Sequence, residues 1–350
     1  MISIYTKYLT ENHCNYYCDG YIDKDSRKQI AGMVAWVRKR VLTMLSTDVT
    51  NLRKNSANRH LLVQLAANLS NANIREILAC EPQNLMAKSL EYTDYNIDVF
   101  YKGRDDIYHK TNILTYLFNY EGFRSFKSTY QNGYLLATNL SIKCCPYCNR
   151  NYTTQHEMLY YKKNIATHRT EAKYVFPEFD HFYSKKAFPA IAISFYNLIP
   201  SCNICNSHYK GDQDTILFNL FHPYTKTVNN YFNFKFIPEN VNSLYGAGNN
   251  FSLDFEFRDS DAINIQISKS IEFFGIKDNY EKNHTNLINE IVGKKLMFSN
   301  SYLKTIQDAY GIPFEESYRI LFETYYEDDR QHQRPFSKLK RDIYDDINIK

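Results

Sequence analysis

The sequence predicts an α+β protein, mainly helical, arranged around a central strand–loop–strand–helix segment framed by cysteines. Apolar residues recur at helical spacing through much of the first 140 positions, and apolar and polar residues alternate in short runs between positions 232 and 267. Between these regions, two Cys-x-x-Cys pairs, Cys145/Cys148 and Cys202/Cys205, bracket the dipeptide Asp180-His181.

Taken in order, the first twenty-odd residues read as irregular. From Gln29 to Leu45 the residues Ile30, Met33, Val34, Val37, Val41, Leu42 and Leu45 mark a helix, with Arg38, Lys39 and Arg40 as a basic patch at its centre. That patch is better explained as a solvated helix face than as a nucleic-acid contact. A second helix is expected over Leu61–Leu69, and a third begins at Asn73 as cap, with Glu76 placed to bond back. Thr111–Phe118 and Phe123–Leu140 also read as helical. After position 210, Phe232–Phe236, Phe251–Phe257 and Ile263–Ile267 read as half-buried strands, the first two joined by a turn-rich stretch over Asn242–Asn250. Tyr280, His284, Leu287, Ile288, Ile291 and Leu296 mark one further helix and Phe314–Tyr326 another, and Arg334–Arg341 is a cationic run. The expected domains are a helical region over 1–140, a central module over 141–225 and an α+β region over 226–350.

A chain of 350 residues with 44% hydrophobic content can bury a sizeable core in two or three units. No apolar run approaches a membrane span, and Met1–Lys7 has no signal-peptide core, so a soluble, cytoplasmic protein is expected. The net charge of +4, from 42 basic and 38 acidic residues, does not by itself announce a polyanionic partner, although a local basic stripe would suffice for one.

In such a chain, close cysteine pairs favour metal or redox chemistry over disulfides. Cys145, Cys148, Cys202 and Cys205 offer the ligand set of a structural zinc, closed by four sulfurs with no position left for substrate. A redox role is disfavoured by the absence of a surrounding βαβ pattern. Cys144 precedes the first knuckle; Cys145 is preferred as the ligand because Pro146-Tyr147 then fills the loop between the two sulfurs. Cys14 and Cys18 read as ordinary thiols, with a second metal site as the alternative.

Residues 149–201 exceed the spacing of a simple zinc ribbon and contain most of the chemistry. Tyr174–Phe179 is strand-like and delivers Asp180-His181, Ser184–Pro189 is a polar loop, Ala190–Tyr196 is a second apolar strand ending at Asn197, and Asn206 falls in the first turn of a following helix. Each residue also has a plain structural role: turn cap for Asp180, satisfied histidine for His181, turn and helix-cap residues for Asn197 and Asn206.

Taken together, the pattern over residues 145–210 resembles the HNH, or ββα-metal, endonucleases. Cys-Pro-Tyr-Cys-Asn, Asp-His-Phe, Asn-Leu-Ile-Pro-Ser-Cys and Cys-Asn-x-x-Tyr-Lys-Gly are similar to bacterial PtuB-type nucleases, the partners of an ATPase in Septu anti-phage systems. The resemblance implies that Asp180 and Asn206 give oxygen ligands to a catalytic Mg²⁺ or Mn²⁺, that His181 takes a proton from the attacking water, and that Asn197 pins the loop carrying the histidine. Asn206 stands where other members have histidine, which favours a harder metal. His208 and Lys210 are candidate nucleic-acid contacts, with His208 an alternative ligand to Asn206. The implied activity is hydrolysis of phosphodiester bonds, in DNA first and RNA as the alternative. A non-catalytic zinc module that binds nucleic acid or a partner is the third reading.

Overall fold

The computed structural model describes residues 1–2, 4, 7–23, 27–45, 57–102, 108–124, 130–153, 156–161, 170–175, 177–225, 228–258 and 262–347. It is α+β, and its sheets among the described residues are all two-stranded. Internal contacts divide the chain into two units, one of Lys7–Ser141 and Thr154–Ile199, the other of Met1–Thr6, Ile142–Thr153 and Pro200–Lys350. The division cuts through the 141–225 segment and gives Cys145, Cys148, Cys202 and Cys205 to one unit and Asp180-His181 to the other.

The first, helical unit opens with a helix where irregular chain was expected, α1 (Lys7–Asp19). Its buried stripe is Cys14, Tyr17 and Cys18, at the i, i+3, i+4 spacing of one helix face. Cysteine and tyrosine weigh little in a hydrophobic pattern, which hid it. The Tyr17 hydroxyl donates to the Ile193 carbonyl at 2.6 Å. Strand β1 (Gly20–Ile22) pairs antiparallel with β2 (Gln29–Ala31), so the helix expected from Gln29 starts only at Met33, as α2 (Met33–Met44). At Gly32, between them, a Cβ would lie 2.1 Å from the Cys18 carbonyl oxygen, so no side chain fits there.

Helix α2 buries Met33, Val37, Val41 and Met44, and packs against α4 (Asn71–Leu78), which follows α3 (Ala57–Asn68). The basic patch of α2 is only partly solvated. Lys39 is exposed, but Arg38 donates to the Leu69 carbonyl at 2.7 Å, and Arg40 donates to the Tyr116 carbonyl at 2.7 Å while lying over the Tyr116 ring. The cap of α4 is Ser70, whose hydroxyl accepts the Asn73 N–H at 3.2 Å; Asn73 therefore lies inside the first turn. After α5 (Leu85–Leu90), β3 (Asp98–Lys102) pairs with β4 (Tyr108–Asn112), and the helix expected from Thr111 begins at Ile113 as α6 (Ile113–Leu117). Asn112 caps it, accepting the Leu114 N–H at 2.9 Å. Helices α7 (Tyr120–Arg124) and α8 (Gly133–Leu140) follow; positions 125–129 of the expected 123–140 helix lie outside the described residues.

Strands β5 (His156–Tyr161) and β6 (Thr170–Val175) form a hairpin, and β7 (Glu178–His181) pairs with β8 (Leu198–Ser201). The strand expected over Ala190–Tyr196 is not one. Pro189–Ile191 and Phe195–Asn197 are single 3₁₀ turns closed by Ala192 N–H to Pro189 O and Asn197 N–H to Ser194 O, and the strand begins at Leu198 instead. Nearly all of that run is buried, and a continuous apolar run carries no period that separates strand from turn.

The second, cysteine unit holds the hairpin of β9 (Phe232–Pro238) and β10 (Phe251–Phe257), which are in register throughout and joined across the short helix α9 (Val241–Leu244). Phe232, Phe234 and Phe236 alternate inward, as the pattern predicts. The third expected strand, Ile263–Ile267, lies inside a helix, α10 (Ala262–Phe273), which buries Asn264, Ile267, Ser270 and Ile271 at helical spacing. The helix expected around Tyr280 is two, α11 (Ile276–Asn283) and α12 (Thr285–Met297), separated at His284. Then come α13 (Asn300–Tyr310), α14 (Phe314–Phe322) and α15 (Ser337–Asp346).

The cationic run of the tail is largely internal. Lys338 is 0% exposed and pairs with Asp342 at 2.7 Å on α15. Arg341 is buried against Asp328. The α15 carboxylates also serve the edge of β9, Asp342 accepting the Phe234 N–H at 3.0 Å and Asp346 the Phe236 N–H at 2.9 Å. These contacts replace a missing third strand, because backbone donors left unpaired in a buried position are costly.

Candidate metal centre and candidate catalytic residues

The four sulfurs of Cys145, Cys148, Cys202 and Cys205 lie within 4.8 Å of one another. Three of these residues are buried and Cys202 is partly exposed. Zinc–sulfur bonds of about 2.3 Å in a tetrahedron place sulfurs about 3.8 Å apart. Cys148 Sγ and Cys202 Sγ are 3.9 Å apart, so the cluster fits such an ion. Two donors already face the sulfurs: the Arg150 N–H reaches Cys148 Sγ and the Asn151 side-chain amide reaches Cys202 Sγ, each at 3.4 Å. Hydrogen bonds, first from Cys145, drive Cys202 below the ordinary thiol range and lower Cys148 to about 7, while burial pushes Cys145 up. Cys144, the neighbour that could be mistaken for a ligand, is buried outside the cluster, and burial raises it to about 12.

Local chain geometry builds the first knuckle. The Cys145 N–H donates to Asn151 O at 2.9 Å and the Asn149 N–H to Cys145 O at 2.7 Å, closing the loop over Pro146-Tyr147. Asn149 sits in the left-handed region at φ 46°, a conformation asparagine tolerates better than most residues. Its buried side chain ties the knuckle to the tail, donating to Arg334 O at 3.3 Å and accepting the Lys338 N–H at 3.3 Å. Tyr280 of α11 donates to the Cys148 carbonyl at 2.6 Å, and Tyr147 stacks on Phe274 at 4.5 Å. The ties to Arg334, Lys338, Tyr280 and Phe274 are not visible as a spacing in the sequence, since each joins positions far apart along the chain.

The second knuckle runs straight into a wide helical turn, Ile204–Lys210, closed by Asn206 N–H to Cys202 O at 3.0 Å and Gly211 N–H to Asn206 O at 2.7 Å. Asn206 is half-buried in it, as the third residue. His208 is exposed, and Lys210 is only 4% exposed, which leaves little of it at the surface. Asn279 clamps this turn to the first knuckle, donating to Tyr209 Oη at 2.6 Å and accepting from Arg150 at 2.7 Å.

In the helical unit, Asp180 and His181 close β7, with Asp180 buried and His181 half-buried. His181 Nε2 lies 2.9 Å from the Ala192 carbonyl oxygen. A carbonyl can only accept, so Nε2 must carry the proton, and in the neutral ring Nδ1 keeps the lone pair. The Tyr120 ring meets His181 edge-on at 4.3 Å, its hydroxyl donates to Phe179 O at 3.2 Å, and the Lys185 ammonium lies over its face at 4.5 Å. Tyr120 escaped the sequence reading because nothing but the fold brings it to β7. Asn197, 0% exposed, holds the intervening loop at both ends: Oδ1 accepts the Tyr183 N–H at 2.8 Å, and Nδ2 donates to Tyr183 O at 3.1 Å and Ile191 O at 3.0 Å. Asp180, His181 and Asn197 thus share one strand–loop–strand frame, whereas Asn206, His208 and Lys210 belong to the cysteine unit.

No family model matches the chain, and neither a curated protein nor a solved structure matches it. Fold and site together define an α+β protein with a four-cysteine cluster suited to zinc, and among its described residues no helix is long and apolar enough to cross a membrane.

Proposed function

We propose that this protein is a metal-dependent endonuclease of the HNH type that hydrolyses phosphodiester bonds in DNA. The observation that carries the reading is the fixed tautomer of His181. A strand end and the Ala192 carbonyl fix the ring through Nε2–H, which makes Nδ1 the nitrogen that can accept a proton, the chemistry general-base catalysis needs. Asn197 supports the same reading, because the three bonds it makes hold the loop whose far end supplies the Ala192 carbonyl.

Zinc on the four cysteines is structural in this account and stiffens the chain on both sides of the inserted segment. Asp180, beside His181 at the end of β7, offers an oxygen donor of the kind Mg²⁺ or Mn²⁺ takes, and such an ion would supply neutralisation of phosphate charge and stabilisation of the departing oxygen. The similarity to PtuB-type nucleases extends the proposal to a cytoplasmic effector of anti-phage defence that works with an ATPase.

The test is incubation of purified protein with plasmid, single-stranded DNA and total RNA, with Mg²⁺ or with EDTA. EDTA-sensitive cutting of DNA is the expected result. Cutting of RNA alone would redirect the substrate assignment, and binding without cutting of any substrate, with zinc bound and the proposed ATPase partner supplied, would leave the non-catalytic zinc module in its place.

A further inference from the structure

Away from the cysteines, the cysteine unit has an open cleft of about 320 Å³ among α12, α13, α14 and α15. That is the lower end of the range of ligand pockets, about 300–1,000 Å³. Its polar groups are unusual for a surface crevice. Lys295 is only 5% exposed, yet among the described residues the one hydrogen-bond acceptor for its ammonium is the Asn300 side-chain oxygen, at 3.0 Å. The same ammonium lies 3.6 Å from the centroid of the Tyr344 ring. Burial pushes the lysine below its ordinary range, and Asp345 opposes that shift without coming into ion-pair distance.

The spare hydrogen-bonding capacity has a definite pattern. The Asn300 oxygen already accepts from Lys295 and, at 2.9 Å, from the Tyr344 hydroxyl, so its two lone pairs are used and its NH₂ group remains as a donor. Asp345 receives the Tyr326 hydroxyl at 3.1 and 3.2 Å, which leaves acceptor sites on both of its oxygens. The cleft therefore offers donors, Lys295 and Asn300, beside a carboxylate acceptor, with the rings of Phe314 and Tyr326 as lining.

We propose that this cleft is a nucleobase-binding site selective for guanine. Guanine carries two acceptors, O6 and N7, next to an edge of N–H donors, and that sequence of groups complements a lysine and an amide donor beside a carboxylate. Adenine places an amino donor where guanine has O6, and would face Lys295 with a donor. The aromatic lining suits a flat ring. The base could come from a free nucleotide or from an unpaired residue in a strand, and both present the same groups.

The experiment is calorimetric titration of the full-length protein with GMP, AMP, CMP and UMP, and in a second arm with short single-stranded oligonucleotides that contain or lack one guanine. Saturable binding of GMP at least tenfold tighter than of the other three is expected, with the oligonucleotide arm telling the two sources apart. Asp345→Asn should abolish the preference for GMP, and Lys295→Met should weaken GMP binding at least tenfold. Gln307→Ala, on the same lining and partly exposed, should weaken binding severalfold and serves as the variant least able to disturb folding. No saturable GMP binding, equal binding of all four nucleotides, or unchanged preference in a folded Asp345→Asn protein would each overturn the proposal.

Discussion

Replacing Asn197 with alanine tests both the fold and the candidate site. Three hydrogen bonds disappear, and their partners are all backbone groups of the loop: Tyr183 N–H, Tyr183 O and Ile191 O. A buried polar group stripped of its partner costs about 1–3 kcal/mol. The two bonds to Tyr183 are partly buried, so water can replace them at about 1 kcal/mol each. The bond to Ile191 is fully buried and is placed at about 2 kcal/mol. The expected loss is about 4 kcal/mol, a large share of the 5–15 kcal/mol typical of a domain. Trp36, the only tryptophan, lies on α2 of the same unit, so its fluorescence during urea unfolding reports the unit that carries Asn197. Asn197→Asp keeps the acceptor for Tyr183 N–H but sets a carboxylate against two carbonyls, and should be no more stable than the alanine variant. A loss below about 1 kcal/mol for Asn197→Ala, or near-full recovery by Asn197→Asp, would refute the loop-holding role.

Elemental analysis should find about one zinc per chain, and Cys202→Ser should release it and lower stability, since metal binding and folding are coupled; a stable, metal-free Cys202→Ser protein with full activity would contradict the centre. Lys338→Met should cost about 3 kcal/mol in chemical denaturation, because it removes the nearer of the two cations that face buried Asp342 and leaves Arg341, at 3.4 Å, as the remaining one. The double replacement Lys338→Met with Asp342→Asn, which keeps an acceptor for the Phe234 N–H, should recover part of that loss, and the absence of any recovery would show that α15 is held by something other than the pair.

What was legible in the sequence was what depends on near neighbours. The two Cys-x-x-Cys loops each announce themselves within four residues, and the preference for Cys145 over Cys144 agrees with the cluster. The β9–β10 hairpin was readable because the alternation over Phe251–Phe257 runs for 7 residues and is matched by that over Phe232–Phe236 across a turn-rich stretch. Ile263–Ile267 misled because five alternating residues fit either period, and only Ser270 and Ile271 beyond them show the helical stripe. The setting of the tail was not legible either: whether Lys338 and Arg341 face water depends on Asp342 and Asp328 and on the fold that buries them. The unit boundaries were equally hidden, since residues 142–153 join 200–350 through contacts such as Tyr280 to Cys148 and Asn149 to Arg334.

The central proposal is that His181 acts as a base toward water, and the most direct measurement is a plasmid-cleavage time course in Mg²⁺ comparing the parent with His181→Ala. Loss of the base should slow cutting by roughly 10²–10⁴-fold while bound zinc, the Trp36 unfolding profile and DNA affinity stay near parental values. Cleavage by His181→Ala at the parental rate would contradict the account.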